Sequence, residues 1–313
     1  MHVVIQTGDK MDESGADALE VGSSWAGIQR VATTPKPPEY FRGREGYLPD
    51  FLGAGATVAL PTLSEKLFSD AAKMSDGTVE LKYEHFSTVQ SMSRRVPLYS
   101  ACVIDGATAK SPPRPDTWSY DGRIAKQYQM LREAYGPEQN RRFSRGHMTR
   151  RQDPNWGNYE TAVRANLDTF FATNACPQWQ PFNDGLWGDL EDYILMNAKG
   201  DAKRVSVFTG PILRTEDVKR HSVQIPRDFW KVVAFISQVT GRLTAVAYVM
   251  GQGKYLDAGV AGDLEDFDMS QRPVSFVEQA TGLRFLDLSG HDALDGADVS
   301  FIRPIRRIGD LRL

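Results

Sequence analysis

The 313-residue chain is 41% hydrophobic and 25% charged, with a formal net charge of −3. That is the make-up of a globular protein of one large or two modest domains, and its slight acidity excludes general electrostatic coating of a polyanion; any such binding needs a local patch. Two cysteines, Cys102 and Cys176, supply neither a disulfide framework nor a zinc site, and no apolar run nears the roughly 18 residues that a membrane span requires.

The N-terminus lacks the basic region and long apolar run of a secretory signal peptide. The expected location is therefore the cytoplasm, or outside the cell by a non-classical route. Residues 1 to about 45 are rich in Gly, Ser, Pro and charge, and Thr33-Thr34-Pro35-Lys36-Pro37-Pro38 must be extended or irregular. The glycines at 53 and 55 lack the spacing of a nucleotide fingerprint. Strand patterns begin near Gly77. Glu84–Gln90 partly alternates, and Pro97–Ile104 is an apolar run ending at Asp105-Gly106, so the two predict a hairpin. His85 reads as a strand residue rather than a ligand.

Gly122–Tyr135 is expected to be irregular or a short helix. Tyr159–Thr173 has helical spacing, with Ala162, Leu167, Phe170 and Phe171 able to face a core. Pro177 and Pro181 stop it. A second helix is expected from Asn183 or Asp184 to about Ala198. Val205–Ile212, Phe229–Ile236 and Leu243–Met250 read as strands, the last two as antiparallel neighbours around Thr240-Gly241. A small helix is expected over Pro273–Ala280, and the acidic stretch Asp292–Asp298 reads as surface.

Against this background Arg141–Arg151 stands out, with five arginines and His147 in eleven residues. Guanidinium forks match phosphate oxygens, and an imidazole moves protons near neutral pH. In extended backbone Arg145 and His147 share a face, so one can hold phosphate while the other takes a proton from water. Downstream come Thr169-Phe170, Asn174, Pro177-Gln178 and Asn183-Asp184-Gly185-Leu186-Trp187-Gly188-Asp189-Leu190-Glu191. On one helix, Asn183 and Glu191 would differ by a rise of roughly 12 Å and an offset of about 80°, with Trp187 on the same flank. Taken alone, Asn183 reads first as a helix N-cap, Glu191 as a solvated residue and Trp187 as core.

This ordered series resembles the DNA/RNA non-specific endonuclease family, whose ββα-metal (His-Me finger) site carries the patterns D-R-G-H, T-F…N…P-Q and N-x-G-x-W-x-x-L-E. The family's leading Asp is Ser144 here. The resemblance implies an α+β fold with a central antiparallel sheet. It places a nuclease domain at residues 77–313, after an N-terminal extension at 1–76 that binds a partner or gates the site. His147 would be the general base and Arg145 a phosphate ligand. Asn183 would hold Mg²⁺, with Mn²⁺ as a substitute, and Glu191 would order metal-bound water. Asn174 and Gln178 would position loop or histidine, with Arg150, Arg151 and Trp187 lining the substrate side. A further phosphate-binding arginine is either Arg114 or Arg123. The implied partner is nucleic acid, DNA or RNA, with no membrane role, 5′-phosphate products and often a homodimer. The alternatives are a decayed nucleic-acid-binding protein and a phosphodiesterase on smaller substrates.

Overall fold

The computed structural model describes residues 19–24, 27–53, 55–135, 143–201, 203–220, 222–258, 269–294 and 296–311. Arg141 and Arg142 of the basic stretch lie outside them, as do residues 1–18. The elements that carry the site are, in order, β1 (Leu81–Lys82), β2 (Phe86–Gln90), β3 (Pro97–Asp105), β4 (Phe143–His147) and α1 (Tyr159–Asp168). Then follow β5 (Ala175–Trp179), α2 (Gln180–Asp184), α3 (Leu186–Gly200), β6 (Arg204–Ile212) and β7 (Asp228–Ile236). The last are β8 (Leu243–Gly251), β9 (Met269–Arg272), α4 (Val274–Thr281) and β10 (Arg303–Ile305).

An eight-stranded antiparallel sheet in the order β10-β9-β8-β7-β6-β3-β2-β1 forms the centre. The fold is thus α+β, as the resemblance implied. Strand β7 shows why the sheet is buried on both sides. Its side chains alternate, sending Phe229, Val233 and Phe235 into one core and Trp230, Val232 and Ala234 into the other. Helix α3 covers the first face through Trp187, Leu190, Ile194, Leu195 and Ala198. Each such fully buried large apolar side chain contributes about 1.5–3 kcal/mol. Helix α4, through Val274 and Val277, and the segment bearing Tyr47, Leu52 and Val58 cover the second face.

The boundary expected at residues 76/77 does not coincide with a break in packing. Phe41 and Ala72 share a core with Tyr83 and Phe86, and Ala71 lies in the core beneath α4.

Several local expectations change. His85 is in the β1–β2 turn, not a strand, with φ 66°; it stacks on Trp156 at 3.4 Å, and its Nδ1 contacts Pro154 O at 2.8 Å. Helix α1 ends at Asp168; Leu167 within it is exposed, and Phe170 and Phe171 are buried just after it. Backbone bonds from Ser119 N to Phe170 O and from Ala172 N to Ser119 O pull that segment out of helical geometry. Asp292 is buried, because its carboxylate accepts from Val274 N at the start of α4 and from Leu294 N. Gly282, at φ 80°, ends α4 in a left-handed conformation that suits glycine.

Candidate active site

Strands β4 and β5 form a separate two-stranded ribbon, pairing His147 with Ala175, Gly146 with Cys176 and Ser144 with Gln178. Gly146 is required there. A Cβ on it would sit 1.8 Å from Gln178 Oε1, so the Gln178 side chain occupies the space above the glycine. Paired residues share a face, which puts Gln178 on the side of the ribbon opposite His147. Past the ribbon, Asn174 fixes the chain that leaves His147. Its Oδ1 accepts from Thr149 N at 2.7 Å, and its Nδ2 donates to Thr149 O and Thr169 O. Met148 N also donates to Asn174 O.

His147 is half-buried between aromatic rings, 4.8 Å from Trp118 and 4.9 Å edge-on from Phe170. Its Nε2 is enclosed and has no hydrogen-bond partner among the described residues. Burial, then the cations of Arg114, Arg151 and Arg150, hold its pKa well below 6.5. The imidazole is therefore neutral at pH 7 and able to accept a proton.

Arg114 lies 5.3 Å over the Phe170 ring. Burial lowers its pKa, and the nearby Asp184 carboxylate opposes that. Arg114 is thus within electrostatic reach of both His147 and Asp184. Arg123, the alternative, is elsewhere: it pairs with Asp121 at 2.7 Å and lies over Phe41 and Tyr83. Arg145 shares β4 with His147, but its Nε donates to Leu131 O at 2.8 Å and its guanidinium lies over Tyr135. Arg151 donates to Pro112 O and Asn166 Oδ1.

The expected single helix is two. Gly185, with φ −94° and ψ −138°, separates α2 from α3, so Asn183 and Glu191 do not share one helical wheel. Pro181 begins α2 rather than blocking a helix, which suits a residue with no amide donor. Asn183 does not cap α3; its Nδ2 donates to Asp184 Oδ1 at 3.1 Å, and Gln180 binds the other Asp184 oxygen. Because a carboxylate only accepts, this contact fixes the amide orientation and leaves Asn183 Oδ1 available.

Among the described residues no group of three or more His, Cys, Asp and Glu could hold a metal. A hard cation with few protein ligands and several waters suits magnesium, and one oriented amide oxygen beside a carboxylate is a donor set of that kind. Asn183 Oδ1 and the Asp184 carboxylate are thus oxygen donors of the kind that a hard cation takes.

On α3, Glu191 Oε1 lies 3.4 Å from Lys231 Nζ and Glu191 Oε2 lies 3.8 Å from Arg150 Nε. Lys231 is buried, bonds Thr209 Oγ1 at 2.8 Å and sits over Trp187. Trp187 is fully buried and stacks on Phe182, so it supports the site and offers no face to a base. Burial opposes the Arg150 cation, but Asp153, Glu191 and Asp192 outweigh it and raise its pKa. Asp153 is pushed up to about 7 by burial, against the pull of Arg150 and Lys231. Sequence reasoning missed Lys231 and Asp153. A lone lysine inside the apolar run Phe229–Ile236 was the available signal.

A family model described as DNA/RNA non-specific endonuclease matches residues 63–290. An uncharacterized protein, y4fB, of Sinorhizobium fredii is 36% identical over 296 residues, covering 88% of this chain and 44% of that protein. A protein named nuclease from Nostoc sp. is 24% identical over 147 residues, covering 46% of this chain and 50% of its own length. The chain spans about half the length of the curated relatives it matches. Its fold is similar to a chain in the crystal structure of the EndoG/EndoGI complex, with a TM-score of 0.51 and 20% identity over 72% of this chain and 96% of that one. No helix among the described residues is long and apolar enough to cross a membrane. By the match over residues 63–290, the chain belongs to the DNA/RNA non-specific endonuclease family.

Proposed function

We propose that the chain is a metal-dependent endonuclease that hydrolyses phosphodiester bonds of DNA, RNA or both without reading sequence. One observation carries the reading: the enclosed, unpartnered Nε2 of His147 is kept neutral amid three arginines that suit phosphate.

His147 Nε2 takes a proton from water as that water attacks phosphorus. Arg114, whose cation acts on His147, binds the phosphate under attack in this reading, and after burial it helps keep the imidazole unprotonated. Asn174 holds the backbone that carries His147 in register. Glu191, fixed by Lys231 and Arg150, is a carboxylate able to order water beside the phosphate. Mg²⁺ or Mn²⁺ on Asn183 Oδ1 would neutralise charge on the phosphate and the leaving oxygen. Phosphate contacts carry no base information, which supports non-specific cleavage.

The test is cleavage of plasmid and of a structured RNA, with EDTA, Mg²⁺ or Mn²⁺, beside His147→Ala. Metal-dependent degradation that falls about 10²–10⁴-fold in the variant is expected. Equal inertness of parent and variant in both metals would overturn the proposal.

A further inference from the structure

An open groove of about 1680 Å³ begins at Asp184 and Gly185 and runs along the β8-β9-β10 edge of the sheet. The segment Ile302–Gly309 forms another part of its lining. Arg214, Arg227, Lys254, Arg272, Arg306 and Arg307 line it. Three lining acids, Asp184, Asp189 and Asp228, oppose them, and Asp310 adjoins Arg306 and Arg307. On a chain of net charge −3 this is a local cationic surface. Arg214 is largely neutralised by Asp228, 2.5 Å away. The Arg307 side chain is 84% exposed and lies only loosely, at 3.6 Å, beside Asp310.

Two further observations point to an anionic ligand. Arg272 Nε is buried with no hydrogen-bond partner among the described residues, while its guanidinium lies 3.7 Å over Phe276. Exposed Ile302 and Ile308 stand among the cations, giving apolar surface for sugar rings. Asp184 lines the groove, holds the Asn183 amide and acts electrostatically on Arg114. The groove therefore opens from the Asn183 side of the candidate site. The family match ends at residue 290, so the Ile302–Gly309 lining belongs to sequence outside that match.

We propose that this groove binds the sugar–phosphate backbone of a polynucleotide on the Asn183 side of the scissile phosphate, with Arg272, Arg306 and Arg307 as phosphate contacts. The proposal rests on the nuclease reading for the direction in which substrate runs.

The experiment is fluorescence anisotropy of the full chain with a labelled duplex long enough to fill the groove, in EDTA, across a salt series. Arg306→Gln/Arg307→Gln is compared with parent and with Arg242→Gln, an exposed charge outside the groove. Loss of two phosphate contacts should flatten the slope of log K against log salt by about 1.8 and weaken binding at least about tenfold at low salt. Arg242→Gln should keep the parent slope. A double variant with the parent's slope and affinity overturns the proposal. Thermal melts by circular dichroism confirm that the variants are folded. The binding arm contains no metal and needs no cleavage, so a chain that binds through the groove yet cuts nothing supports this inference while sinking the nuclease reading.

Discussion

Lys231 Nζ lies 3.4 Å from Glu191 Oε1, and this ammonium is buried inside a strand whose neighbours are Trp230 and Val232. A buried lysine is tolerated only when its charge is matched, and here the matching carboxylate is one of the family's motif positions. Removing the cation by Lys231→Met leaves Glu191 with Arg150 alone. We expect roughly 3 kcal/mol of lost stability in urea unfolding, with much of it recovered in Lys231→Met/Glu191→Gln. A single variant as stable as the parent would show that the pair is not coupled.

The pH profile follows from His147. Its folded pKa is depressed, so the proton-accepting form persists below pH 6.5. The acid limb of kcat/KM, which reads the free enzyme, should therefore fall below 6.5. Arg114→Gln removes one cation that disfavours the imidazolium, so the limb should move to higher pH while KM rises. Profiles of parent and variant with superimposable acid limbs would refute the electrostatic link.

Gly146 and Gln178 make a steric pair. Gly146→Ala places a methyl 1.8 Å from the Gln178 amide and should cost about 1–3 kcal/mol while distorting the strand that carries His147. Gln178→Ala on that background opens the space. The double variant should recover part of both stability and cleavage. A Gly146→Ala protein that melts and cuts like the parent would mean the ribbon yields freely.

Asn183 is tested by metal titration. Asn183→Ala should raise the Mg²⁺ concentration for half-maximal cleavage by at least about tenfold. Asp184→Asn, which no longer fixes the amide orientation through a carboxylate, should do so more mildly. Unchanged Mg²⁺ curves in both variants would place the cation elsewhere.

The strands were the most legible part of the chain. Val205–Ile212, Phe229–Ile236 and Leu243–Met250 are apolar on both faces and short, which suits strands covered on two sides, and they are β6, β7 and β8. The hairpin of β2 and β3 was equally readable. The break at Gly185 was not, because periodicity across Asn183–Ala198 is satisfied by one helix or by two. His85 was read as strand because its neighbours alternate, yet its positive φ is a property of the turn. Of the candidate site, the family resemblance proposed His147 and Asn183 but could not choose between Arg114 and Arg123. Only tertiary packing puts the first beside Phe170 and the second against Asp121. Asp153 gave no signal, since its environment comes from β7 and α3, far away in sequence.

The two strands of the ribbon are separated by residues 148–174, which include α1, and Asn174 must return across that span before Thr149 is held. Closing such a loop costs entropy that local contacts do not repay, so this pairing belongs among the slower contacts to form. The histidine is therefore held in place only once residues 148–174 have closed on the ribbon.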